Sequence, residues 1–187
     1  MTEPVKIELG GGAYSKGNGF VNIDKSEHSD IKYNLSDLPW PLENESVDEI
    51  YASHWFEHME HPHGILNEIV RICKLGATVL LKVPHPSSDM AMVWDHKHVY
   101  SPLQAINVEK YFPKDFWKAK HRLKLIDIKY EPTIFLEEAK KELPFLNGIS
   151  DEVIMKWIPR TCHECCFHYT VIVNEYYTPT RQLTLFE

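Results

Sequence analysis

The chain has no excess of positive charge. Among its 187 residues, 20 Lys and Arg stand against 27 Asp and Glu, a formal net charge of −7. Such a surface repels a phosphate backbone, so direct nucleic-acid binding is expected to be weak or absent unless something other than bulk charge brings it in. Long apolar runs are lacking as well. None approaches the roughly 18 residues of a membrane helix, so no membrane association of that kind is expected. Cysteine is scarce: Cys73, Cys162, Cys165 and Cys166, three of them crowded into five positions. The first residues, Met-Thr-Glu-Pro, lack the pattern of a secretory leader. Both features fit a reducing, cytoplasmic location better than a disulfide framework. Internal repeats and low-complexity tracts are missing too. With 43% hydrophobic and 25% charged residues the composition is that of an ordinary globular protein, and the length suits one domain with a substantial core.

Glycine is uncommon, eight residues in all, yet three stand together. Val5, Ile7 and Leu9 form a short apolar run that reads as a buried central strand, and Gly10-Gly11-Gly12 follows it. Glycine there permits positive φ and lets a ligand come close to the main chain. A second strand, Phe20-Val21-Asn22-Ile23-Asp24, ends in an acid placed to accept hydrogen bonds from both hydroxyls of a ribose. The same residues also suit a tight turn followed by an ordinary strand-end acid. Gly19 follows Gly12 by only seven positions. A parallel crossover normally takes a dozen or more, so the first helix is expected to be missing or reduced to a turn, leaving one sheet face thin.

The rest of the chain continues an α/β pattern. Residues 31–35 read as a short third strand, and the prolines of 36–41 end regular structure. Residues 47–53 read as a fourth strand, and 54–64 as a polar, His-rich connection. Ile65, Leu66, Ile69, Val70 and Cys73 recur at helical spacing, predicting a helix that runs to Leu75 and is capped by Gly76. Residues 78–83 form a fifth strand, stopped by Pro84-His85-Pro86. Ser101-Pro102 predicts a helix start, with Leu103, Ile106 and Tyr111 on its buried face. Residues 123–130 alternate as a sixth strand. Residues 135–143 and 151–157 read as short helices inserted before the last strand, 167–173. The expected organisation is one domain over 1–177, with 134–157 as inserted helices that could form a lid, and a tail at 178–187.

The order of these pieces resembles the class I S-adenosylmethionine-dependent methyltransferases, in particular short bacterial and phage members. Glu8-Leu9-Gly10-Gly11-Gly12 is similar to the family's first motif, whose glycine loop faces the methionine part of the cofactor. Residues 19–24 are similar to its second strand, whose acid, here Asp24, holds the ribose. Asp37-Leu38 resembles the segment that reads the adenine. Residues 47–58 resemble the fourth strand with its "SHxxEH" exit, which here carries Ser53, His54, Glu57 and His58. Residues 69–76 resemble the helix ending in "RxLKPGG", with Leu75-Gly76-Ala77 in place of Pro-Gly-Gly. The resemblance implies a Rossmann-like α/β fold with a mostly parallel seven-stranded sheet, its last strand antiparallel. It also implies S-adenosylmethionine across the carboxyl ends of the strands, and methyl transfer by attack on the sulfonium methyl. In such chemistry the protein mainly aligns the reactants, with a base only where the nucleophile carries a proton.

Candidate chemistry gathers in the loops after the fourth and fifth strands. His54 lies at a strand tip and is the candidate nearest the cofactor. Glu57-His58 suits a structural hydrogen bond at the start of the next helix. His85, Asp95 and His96, with His98 close by, fall where an acceptor would lie. One could act as a base, the group could hold a metal, or the loop could simply be solvated. Cys162-x-x-Cys165 with His168 offers three zinc donors but lacks the companion pair of a zinc ribbon, and the segment runs into a strand, so buried structural thiols are the favoured reading and no metal ligand is assigned. Acceptor signatures are missing. Ser53-His54-Trp55-Phe56 stands where amino-methylating DNA enzymes carry Asp/Asn-Pro-Pro-aromatic, and Pro84 is followed by His85, not Cys.

The tail carries a separate clue. Gln182-Leu183-Thr184-Leu185-Phe186 resembles the bacterial sliding-clamp-binding pentapeptide, whose usual third residue is Ser or Asp. Gln182, Leu183, Leu185 and Phe186 would be the clamp contacts. Tethering of that kind raises the local concentration near DNA without a basic surface. Two functions therefore stand open: a methyltransferase with an unidentified acceptor, or a non-catalytic protein of the same fold that associates with the clamp. The same apolar tail residues could instead pack on the protein's own surface.

Overall fold

The computed structural model describes residues 3–111 and 120–174. The clamp-like residues Gln182, Leu183, Leu185 and Phe186, and the 178–187 tail as a whole, lie outside them.

Seven strands form one sheet: β1 Lys6–Leu9, β2 Phe20–Asp24, β3 Ile31–Lys32, β4 Val47–Ser53, β5 Cys73–Pro84, β6 His121–Pro132 and β7 Cys162–Val173. Their order across the sheet is β3-β2-β1-β4-β5-β7-β6. The first five run parallel, and β7 is antiparallel to both β5 and β6. This is the expected Rossmann-like arrangement, and it reverses direction between β1 and β4, where a ligand cleft opens at the strand ends. Helices α1 Pro62–Ile72 and α2 Pro102–Tyr111 are the crossovers from β4 to β5 and from β5 to β6.

Registers separate the two faces of the sheet. Ile7 and Leu9 lie in line with Val21, Ile23, Ile50, Ala52, Val79 and Leu81. Across β7 the same face continues through Tyr169, Phe167 and Cys165. These side chains join Ile65, Leu66, Ile69, Val70 and Ile72 of α1 and Ala105 of α2 in one buried cluster. The alternate residues are of another kind: Lys6, Glu8, Phe20, Asn22, Glu49, Tyr51, Thr78, Lys82, His168 and Thr170. None of them enters that cluster. β1 is thus the buried central strand expected from Val5, Ile7 and Leu9, with its side chains alternating between an apolar face and the buried carboxylate of Glu8.

The connection from β1 to β2, residues 10–19, contains no helix, in line with its length. It folds back over the polar face instead. Glu8, buried there, accepts hydrogen bonds from Ser15 Oγ and the Lys16 N–H, both at 2.7 Å. The Lys16 ammonium lies 3.8 Å from the centre of the Tyr51 ring and 4.6 Å from that of Phe20. A loop with a cation over two aromatic rings thus covers part of the face where a crossover helix would otherwise stand.

Several boundaries differ from expectation. α1 ends at Ile72, and Cys73 is already extended, pairing with Val47. Gly76, at φ +84°, turns within β5 and does not cap the helix. Pairing takes the chain out of the helix here: Cys73 pairs with Val47, and the Arg71 and Ile72 carbonyls at the helix end accept from the Glu45 and Ser46 N–H groups. α2 does begin with a reciprocal cap: Ser101 N–H donates to Gln104 Oε1 (2.6 Å) and Gln104 N–H to Ser101 Oγ (3.3 Å). Its buried contact is Ala105, whose carbonyl accepts from Tyr169 Oη, whereas Leu103 is exposed. Tyr111's side chain lies outside the described set.

Between β6 and β7 stand α3 Phe135–Glu142, a 3-10 turn Pro144–Gly148 and α4 Asp151–Trp157. They build a second small core from Leu136, Leu146, Ile154, Met155 and Cys162. β7 starts five residues earlier than expected, so the cysteine-rich segment is strand. No helix among the described residues is long and apolar enough to cross a membrane.

Candidate functional site

A cleft of about 410 Å³ opens at the carboxyl ends of β1, β2 and β4. Gly10, Asp24, His54, Trp55, His58 and Asp95 are among the residues that line it. Gly10 sits at φ +73°, and a β-carbon there would fall 2.1 Å from the Trp55 ring. Only glycine lets that indole lie against the main chain. The Gly11 N–H donates to Asn22 Oδ1 (3.1 Å), and Asn22 Nδ2 donates to the Gly12 carbonyl (3.0 Å). Asn22 therefore clamps the glycine loop from the neighbouring strand, a role its place inside the strand motif did not suggest. Asp24 Oδ1 accepts the Ser26 N–H at 2.7 Å, which fixes the carboxylate at the strand tip.

The other expected cofactor residues divide. Glu8 serves the loop described above and does not line the cleft. Leu38 lines an adjoining cleft of about 220 Å³ that shares Ser36, His58 and Met59 with the first. Asp37 lines neither. Its carbonyl accepts from Tyr33 Oη. Ser53 closes β4 opposite Lys82 and stands outside both clefts.

His54 leaves β4 in the left-handed region, φ +51°. Its Nε2 lies 2.6 Å from Glu164 Oε2 and its Nδ1 3.4 Å from Glu57 Oε1. The hydrogen bond to Glu164, then the close Glu57 carboxylate, outweigh burial and raise its pKa to about 9. Held between two carboxylates, it favours the imidazolium at neutral pH, a state suited to orienting or charge balance more than to taking a proton. Burial alone would raise Glu164, but His54 and Lys82 together hold it down at about 2. Glu164 lies 110 residues away on β7, and nothing in the sequence paired it with His54.

Glu57 is 1% exposed, and neither of its oxygens makes a hydrogen bond. Its compensation is ionic, from His54, with His96 Nε2 at 4.0 Å. His96 meets the His58 ring edge-on at 4.7 Å between centroids. His58 Nδ1 stands 3.4 Å from Asp95 Oδ2. His54 and Asp95 thus reach the cleft, and His96 lies one side chain behind it. His85 is elsewhere: buried, with Nδ1 2.8 Å from Ser87 Oγ, beside Cys162 and Cys165. Besides Asp24 and His54, the titratable side chains of the expected set and its neighbours that line the cleft are Asp95 and His58.

A family model described as a methyltransferase domain matches residues 18–81, from β2 through most of β5. No functionally curated protein matches the sequence. Among solved structures, a S-adenosylmethionine-dependent methyltransferase from Archaeoglobus fulgidus superposes with a TM-score of 0.61 at 14% identity, covering 89% of this chain and 86% of the other. Another from Mesorhizobium loti gives 0.56 at 12% identity, covering 89% and 90%. The [4+2]-cyclase SpnF gives 0.55 at 13% identity, covering 91% and 76%. The chain thus has the class I methyltransferase fold, and the family match with these neighbours implies S-adenosylmethionine as cofactor.

Proposed function

We propose that this protein is a S-adenosylmethionine-dependent methyltransferase whose cofactor lies in the cleft between the Gly10 loop, Asp24 and the His54 exit. The observation that carries this is the convergence of Gly10, Asp24 and His54, far apart in sequence, on one cleft at the carboxyl ends of β1, β2 and β4. Bound there, S-adenosylmethionine would supply an electrophilic methyl on a sulfonium. Asp24, fixed by the Ser26 N–H, accepts from the ribose hydroxyls. Gly10 and Trp55 shape the methionine end, and Leu38 flanks the adenine from the adjoining cleft. The His54 imidazolium is balanced by Glu57 and Glu164, so the cluster adds no large net positive field against a sulfonium. Asp95, or His58 beside it, takes the proton of an acceptor that carries one.

Calorimetry with S-adenosylmethionine and S-adenosylhomocysteine tests the reading. Binding of either, weakened tenfold or more in Asp24→Ala, supports it. Binding of neither, with the protein folded, removes it. The fold alone does not fix methyl transfer, as the cyclase among the neighbours illustrates. A protein that binds the cofactor but transfers no methyl group to any acceptor fraction would favour the non-catalytic reading.

The 182–186 segment adds a partner to this proposal: a bacterial sliding clamp, engaged by Gln182, Leu183, Leu185 and Phe186. What supports it is the likeness of the pentapeptide and its need for some apolar pocket. Clamp binding that is unchanged in a Leu185→Ala/Phe186→Ala double variant would end this part without touching the first.

A further inference from the structure

Cys162 and Cys165 do not meet His168. Cys165 pairs with Val83 and His168 with Leu80, which puts the two on opposite faces of the sheet. The imidazole that comes to the thiols is His85, from the exit of β5. One donor atom from each of His85, Cys162 and Cys165 lies within 4.8 Å of the others, and all three residues are buried. Three other clusters of metal-capable side chains occur among the described residues. Each contains a carboxylate and at least one residue that is not buried. This one alone is all nitrogen and sulfur.

We propose that His85, Cys162 and Cys165 form a zinc site. Two thiolates and an imidazole are a donor set that selects a soft or borderline ion in tetrahedral geometry, and Zn²⁺ is the common choice. At about 2.3 Å from sulfur and about 2.0 Å from nitrogen, a tetrahedral ion holds its donors roughly 3.5–3.8 Å apart. Closure from the present spacing requires shifts of about an ångström or less. Binding releases the protons of the two thiols to solvent, and a fourth position is left to a solvent-derived ligand.

The position explains what such an ion would do. Cys165 belongs to the main core and Cys162 to the small core of the inserted helices. The ion joins the two at their seam. The segments that bring the donors are already tied together. His85 N–H donates to the His163 carbonyl (3.0 Å), Arg160 N–H to Ser87 Oγ (3.4 Å), and the Arg160 guanidinium to Asp89 (3.2 Å). Glu164, the partner of His54, sits between the two cysteines in sequence, and its carbonyl accepts from Cys162 Sγ at 3.3 Å. A metal here fixes the stretch of β7 that presents Glu164 to His54, and so acts on His54 through position.

The test is elemental analysis of the full chain purified under reducing conditions without chelator. One zinc per chain is expected. Reconstitution with Co²⁺ is expected to give a thiolate-to-cobalt charge-transfer band in the near ultraviolet. Cys162→Ser, Cys165→Ser and His85→Ala should each reduce zinc to background, whereas Cys166→Ser and His168→Ala, in the same segment, should keep it. Circular dichroism of each variant separates loss of metal from loss of fold. Wild-type protein that is folded, carries free thiols and takes up neither zinc nor cobalt overturns the proposal. So does a Cys162–Cys165 disulfide in freshly purified, metal-free protein. Zinc retained in His168→Ala but also in His85→Ala would overturn the assignment of His85.

Discussion

The two faces of the sheet are made by the same strands and do opposite work. On one, Ile7, Leu9, Ile50, Val79, Leu81 and Phe167 meet α1 and α2 in a dry, continuous core. On the other, among the described residues, Lys6, Glu49, Thr78, Lys82 and Thr170 meet solvent, polar neighbours and one another. Parallel sheets are normally covered on both faces and their strands are then apolar throughout. Here the strands alternate, so one face can do without helices. The shortened 10–19 connection and the polar residues opposite it are one adaptation: a missing helix would expose apolar side chains, and there are few to expose. That face, on which no helix packs among the described residues, still shapes the cleft, because Glu8 and Asn22 on it hold the glycine loop.

The sharpest way to break this comparison is to truncate matched positions. Leu81→Ala, on the helical face, is expected to cost about 2–5 kcal/mol in denaturant unfolding. Thr78→Ala, exposed on the other face, should stay within about 0.5 kcal/mol. Similar losses at the two would mean that the open face is covered by something in solution. Gly10→Ala is expected to come next, at about 1–3 kcal/mol, since it combines a positive φ with a collision on Trp55. Cofactor affinity should fall with it, as read by calorimetry; full affinity would show that the glycine loop is not part of the cleft.

The His54 pair gives a pH signature. The folded pKa, about 9, lies above the unfolded value near 6.5, so its stabilisation is complete below about 6.5 and disappears as pH rises through 9. Glu164 is lowered to about 2, so its share is complete above the unfolded carboxylate range and is lost as pH falls through 2. Wild-type stability should therefore decline between pH 6.5 and 9 by well under about 1 kcal/mol per pH unit, given that His54 is about one-third exposed. His54→Gln should flatten that limb in thermal unfolding across pH; an unchanged slope would show that another group carries it. The smallest effect is expected at Lys16→Ala, about 0.5–1 kcal/mol, from the cation over Tyr51 and Phe20. A larger loss would make the loop as important to the open face as a helix is to the other.

Much of this architecture was readable in the sequence because it is local. Helical spacing in Ile65, Leu66, Ile69 and Val70, the Ser101-Pro102 start, and the short gap from Gly12 to Gly19 each fix a conformation through neighbours a few residues away. Local signals misplaced the end of α1, where pairing of Cys73 with Val47 outweighed a plausible glycine cap. They also chose Leu103 over Ala105, because the fully buried position on α2 is taken by a small residue, with Val108 beside it.

The sequence by itself settled the fold class, the missing first crossover helix, and the glycine and acid that stand at the strand tips, since turn geometry and side-chain period depend on residue type. Only the tertiary structure decided which charged and soft groups meet. Burial sets the partners of His54 and Glu57, and β7 delivers Glu164 from 110 residues away. Strand register turns His168 away from Cys165 and leaves the thiols to His85. Pairings of this kind depend on register and burial, quantities that no stretch of sequence holds alone.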